Sequence, residues 1–121
     1  MAINSEQIKK LIQQPQESLS VEIKAWINPN DPEGTAKIVK TAIAMRNNNG
    51  GYMVFGFDDK TLQPLLDDAP SNVTEIFHID KIQRMIAKYS SEIFEVSVEF
   101  PKREEQEFPV IVIPIGIPLL R

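Results

Sequence analysis

The stretch "NNNGGYMVFGFDD", residues 47–59, constrains the fold more than any other. Asn tolerates positive φ and Gly adopts it freely, so "NNNGG" stops a helix and turns the chain within a few residues. "YMVFGF" follows at once. It is too short, and too rich in aromatic and β-branched residues, for anything but a buried strand. The chain must therefore pass from helix end to sheet interior with almost no loop.

What precedes the turn fits that reading. In "SLSVEIKAWI" Val21, Ile23, Ala25 and Ile27 alternate with Glu22, Lys24 and Trp26, the period of a half-buried strand. A turn-rich "NPNDPEG" leads to a helix from about Thr35 to Asn47, with Ile38, Val39, Ala42, Ile43 and Met45 as its apolar stripe. Strand, helix and strand within about 40 residues predict a crossover unit with the two strands side by side. A short helix is expected over Ser5 to Gln13, with Ser5 as N-cap, and a longer one over His78 to Tyr89, which His78 caps or begins. "TLQPLLDDAP" reads as a loop holding a short strand. "EIFEVSVEF" and "FPVIVIPI" read as two strands joined by the charged hairpin loop "PKREEQE". The expectation is a single α/β (α+β) domain over residues 1–121, with a mixed sheet, packed helices and a C-terminal β-hairpin.

Composition limits the function classes. The chain has no cysteine, which excludes thiolate metal sites and a cysteine nucleophile and fits a reducing, cytoplasmic setting. The apolar run "VIVIPIGIPLL" is broken by prolines and falls short of the ~20 residues a bilayer span needs, so no membrane partner is expected. Thirteen basic and 17 acidic residues leave −4. The first fifty residues carry +1 and the remainder −5, so a surface for phosphates is expected in the first half. Lys37 and Lys40 share an exposed helix face near Arg46, and Lys24 lies on the polar face of the first strand; read alone, all four are also ordinary solvated positions. Trp26 on that polar face is a candidate for stacking on a base.

Glu17 precedes the first strand, Glu22 lies on its polar face, and Asp58 and Asp59 close the second. Clustered carboxylates suit a hard divalent cation such as Mg²⁺, which can activate water toward a phosphodiester. The same residues also read as solvent-face groups and a polar turn. No P-loop, dinucleotide fingerprint or nucleophile elbow is present.

Taken together, "ESLSVEIK" and "IVKTAIAMRNNNGGYMVFGFDD" resemble the Schlafen-type AlbA-like domain. Its pattern is Glu-Ser-x-x-Val-Glu-Phe-Lys, a helix ending Ala-Phe-Ala-Asn-Thr-x-Gly-Gly, and a strand ending Gly-Val-Asp-Asp. Glu17, Ser18, Val21, Glu22 and Lys24 match the first block; Ala44, Asn47, Gly50, Gly51, Gly56, Asp58 and Asp59 match the second. The late "FPVIVIPIGIP" is similar to the family's closing strand. Ile23, Met45, Arg46 and Asn48 depart from the pattern. The chain also stops at Arg121, where family members usually continue, so it is a shortened version or the N-terminal fragment of a longer protein.

The resemblance implies a nucleic-acid-binding module of a regulator, for DNA or RNA, with Lys24, Lys37, Lys40 and Arg46 on phosphates and Asn47, Gly50, Gly51 and Gly56 as structural turn residues. It also implies a second reading, a metal-dependent endoribonuclease. There Glu17, Glu22 and Asp59, with Asp58 as the alternative, would be the catalytic residues and would hold Mg²⁺ or Mn²⁺. A third reading is a dimerisation or interaction module, for which "PIGIPLL" would expose a recruiting edge.

Overall fold

Alternation along two central strands divides the core in two, as a computed structural model describing residues 5–115 shows. In β2 (Gly51–Phe55), Met53 and Phe55 point to one face of the sheet and Val54 to the other. In β6 (Val110–Ile113), Ile111 and Ile113 join the first face, while Val110 and Val112 join the second. Both strands are interior to the four-stranded sheet, whose order is β1-β2-β6-β3, with β1 at Val21–Lys24 and β3 at Ser97–Glu99. Burial on both faces explains the unbroken apolar runs there.

β1 pairs parallel to β2, with Val21 opposite Tyr52 and Lys24 opposite Phe55; β6 is antiparallel to both β2 and β3. The expected crossover unit is therefore present, bridged by α2 (Pro32–Asn47). That helix begins earlier than the composition of "NPNDPEG" suggests. Pro32 occupies its first turn, where a missing N–H costs nothing, and Thr35 N–H bonds the Asp31 carbonyl at 2.8 Å. Gly34 is buried in it because the loop before the helix crosses so closely that a Cβ would strike the Asn28 carbonyl oxygen.

The helices divide between the two faces. α2 and α4 (Ile79–Tyr89) cover the first, through Ile38, Ala42 and Met45 and through Ile82 and Ile86. α1 (Ser5–Gln13) covers the second through Ile8 and Ile12, which pack with Val21, Ile23, Phe57 and Phe108. His78 takes the N-cap position of α4, its Nδ1 accepting from Asp80 N–H at 3.1 Å.

Four details differ from the sequence reading. The first strand ends at Lys24 although the alternation continues; Ala25 is exposed and Trp26 turns inward. Its carbonyl explains the stop, since Lys24 O accepts from both Gly56 N–H (2.9 Å) and Phe57 N–H (3.3 Å), which bends β2 away. "TLQPLLDDAP" contains no strand, only an isolated bridge between Phe57 and Pro64, and a one-turn helix, α3 (Val73–Ile76), follows it. Only Ser97–Glu99 of "EIFEVSVEF" is strand. The charged loop is itself a small hairpin, β4 (Lys102–Arg103) against β5 (Gln106–Glu107), turning through Glu104 and Glu105 at φ 50° and 72°.

No helix among the described residues is long and apolar enough to cross a membrane. Most of "PIGIPLL" lies outside the described residues.

Candidate functional site

The "NNNGG" turn fixes the junction between α2 and β2. Asn47 is the last helical residue, the Asn48 carboxamide donates to the Ala44 carbonyl (3.1 Å), and Gly50 N–H reaches back to Met45 O at 2.7 Å. Asn49 and Gly50 follow at φ 76° and 73°. Gly51 is the tightest point, at φ 144°, where a Cβ would run into the Ser20 carbonyl and the Met45 methyl. Gly56 admits the rings of Phe108 and Trp26, which a Cβ would meet at 2.7 and 2.8 Å. Asn47, Gly50, Gly51 and Gly56 thus lie where the helix ends, the backbone turns or a neighbour comes close.

The carboxylates take separate tasks. Glu17 Oε1 accepts from Ile23 N–H at 3.3 Å, lying against the backbone of β1. Glu22 pairs with Lys24 at 3.6 Å along the same strand face. Glu22 stands opposite Met53, whereas Asp58 and Asp59 lie beyond the end of β2 at Phe55. Asp58 Oδ1 there accepts from Lys60 N–H (2.8 Å) and Thr61 N–H (2.9 Å), closing an Asx turn. Those backbone donors, Thr61 first and Lys60 next, hold its carboxyl below the ordinary value of 3.8. Asp59 is exposed beside it. Among the described residues no three His, Asp or Glu side chains are grouped to hold a metal ion. Glu17, Glu22 and Asp59 are accordingly not gathered in such a group.

The cations divide as clearly. Arg46 is only 10% exposed and is committed internally. Its guanidinium bonds Glu92 (3.1 and 3.2 Å), the Pro114 carbonyl (3.2 Å) and the Ile115 carbonyl (2.9 Å), and lies 5.0 Å from the Phe94 ring centroid. Lys24 is largely covered and paired with Glu22. Lys37 and Lys40 are exposed on the outer side of α2; Lys37 makes a solvent-exposed pair with Glu33 at 3.5 Å, and Lys40 has no ion pair or hydrogen bond among the described residues. Trp26 is held by the fold, its indole N–H donating to the Leu65 carbonyl (2.8 Å) and its ring stacking on Phe108 at 5.8 Å.

The sequence places α4 by its apolar stripe, but its basic flank was not among the candidate phosphate contacts. Lys81, Arg84 and Lys88 stand three and four residues apart and share one flank, opposite the buried Ile82 and Ile86. Arg84 and Lys88 are exposed and Lys81 half-buried, and none of the three has an ion-pair partner among the described residues. Their spacing was the available signal. α2 and α4 each carry three basic residues and one acidic residue, +2 apiece, which leaves −8 on the rest of a chain whose total is −4. Both lie on the same sheet face and pack together.

The fold is found elsewhere. The DIP2311 protein from Corynebacterium diphtheriae superposes with a TM-score of 0.61 at 19% identity over 92% of this chain. The match spans 22% of that protein, so this chain corresponds to about a fifth of it. The N-terminal domain of an ATP-dependent DNA helicase RecG-related protein from Nitrosomonas europaea gives 0.49 at 17% identity, covering 95% of this chain and 74% of that one. No curated protein matches the chain. The family model described as Schlafen, AlbA_2 matches residues 17–118, from Glu17 through the closing strand, and the chain belongs to that family.

Proposed function

We propose that this domain binds nucleic acid through the outward surface of α2 and α4. The observation that carries the reading is charge segregation. A protein of net charge −4 carries five cations and two carboxylates, +3, on two adjacent helices over one sheet face even without the internally committed Arg46. Phosphate neutralisation needs a local field rather than a basic protein, and the acidic remainder keeps the strand away from the other surfaces. Lys37, Lys40, Lys81, Arg84 and Lys88 are the phosphate contacts; Lys24 and Arg46 serve the fold. Membership of the Schlafen, AlbA_2 family supports a nucleic-acid role of this kind. The nuclease reading has no comparable support, because its three carboxylates are not grouped.

Fluorescence anisotropy with labelled single-stranded and duplex DNA and RNA tests the proposal. Affinity should fall steeply between about 50 and 200 mM salt. Lys40→Ala and Arg84→Ala should each weaken binding to every sequence and lower the salt slope by about 1. Absence of binding at low salt, or a slope untouched by both changes, overturns the assignment. Mn²⁺-dependent cleavage lost in Glu22→Ala would instead restore the nuclease reading.

A further inference from the structure

The proposed surface contains a groove whose walls are not basic. Pro32, Ala36, Val39 and Ile43 form one apolar flank of α2, and Tyr89 at the end of α4 closes it, with Lys40 at the rim. The cavity is about 620 Å³, within the range that holds small ligands. Tyr89 is 58% exposed, the one exposed large aromatic side chain among the described residues. Lys88 Nζ lies over one face of that ring, 5.2 Å from its centroid, so a stacking partner would use the other face. An apolar slot with an accessible ring, flanked by two ammonium groups, matches neither a purely ionic nor a purely apolar partner.

We infer that this groove receives an unpaired base of a single-stranded polynucleotide, which stacks on Tyr89 while Lys40 and Lys88 hold the flanking phosphates. The inference rests on the nucleic-acid reading above and narrows it to unpaired strands. Charge complementarity selects the occupant. The anionic backbone meets cations on either side, and the flat face of the base meets the ring, as every base allows. A duplex cannot enter, because its base faces are already stacked inside the helix. The groove contacts neither the sugar hydroxyls nor a particular base edge by necessity, so DNA and RNA strands share the recognised chemistry.

Anisotropy titrations with fluorescein-labelled oligo(dT), oligo(rU) and a DNA duplex of equal length, at fixed low salt, test this. Tyr89→Ala should weaken binding of the single strands by about 5- to 150-fold. Duplex affinity should stay within about twofold, and Tyr89→Phe should restore single-strand binding, since stacking needs the ring and not the hydroxyl. Photocrosslinking of wild-type protein to an oligo(5-iodouridine), mapped by mass spectrometry, should place the adduct at Tyr89 and does not depend on any variant folding. If the wild type binds no polynucleotide, the parent reading fails and takes this one with it. If it binds but Tyr89→Ala changes nothing and the adduct maps elsewhere, only the groove assignment is refuted.

Discussion

Arg46→Ala separates a structural cation from a phosphate-binding one. The guanidinium spans four partners: the Glu92 carboxylate, the carbonyls of Pro114 and Ile115, and the face of Phe94. Glu92 is 55% exposed, so that ion pair contributes at most about 1 kcal/mol. The part-buried bond to Pro114 and the exposed one to Ile115 add about 1 kcal/mol together, and the cation–π contact about 0.5–1 kcal/mol. The expected loss is then about 2–3 kcal/mol, or about 10 °C in Tm for a domain of this length. Urea titration followed by circular dichroism measures it, with Glu92→Ala as a control that should lose about 1 kcal/mol or less. Polynucleotide affinity and its salt slope should be unchanged in the folded variant. An unaltered midpoint combined with a lower salt slope would refute the reasoning and return Arg46 to the phosphate-binding set.

Gly51→Ala should destabilise the domain by more than about 1 kcal/mol, because both the φ of 144° and the Ser20 carbonyl oppose a Cβ; denaturant unfolding reads this directly, and an unchanged midpoint would contradict the close approach. Asp58 has a folded pKa below its unfolded value, so its stabilising contribution is present above the unfolded pKa and is lost as pH falls through the folded one. Asp58→Asn, which can still accept in the Asx turn, should flatten the acid limb of the stability profile below about pH 4 and leave neutral pH nearly unaffected. An acid limb of unchanged steepness would show that Asp58 does not drive it.

The crossover unit was legible because its signals are local. Period-two alternation, a 3.6-residue stripe and an Asn/Gly stop each occupy consecutive residues. Elements held by distant partners were not. α3 is a single turn around the buried Val73, and β4 and β5 are two residues each, with no apolar pattern. Trp26 continues the alternation perfectly, yet its position is set by Leu65 and Phe108, far along the chain. The site shows the same division. Helical spacing marks Lys81, Arg84 and Lys88 as one flank, but only the packing places that helix beside Lys37 and Lys40. Placement along the strands and the family resemblance both singled out Glu17, Glu22 and Asp59, whereas the backbone hydrogen bonds of Glu17 to β1 and of Asp58 to the following turn depend on the folded chain.

The strand order carries a consequence for how the chain is made. β6, the last strand among the described residues, lies between β2 and β3, so the strands of this sheet that emerge earlier share no ladder across the gap it fills. Until Val110–Ile113 appear, Met53 and Phe55 lack one neighbouring strand and β3 has no partner at all. Synthesis therefore leaves open strand edges on β2 and β3 until Val110–Ile113 fill the gap between them. Nascent chains arrested before that segment should be sensitive to protease throughout, and chains extended past it should become resistant together.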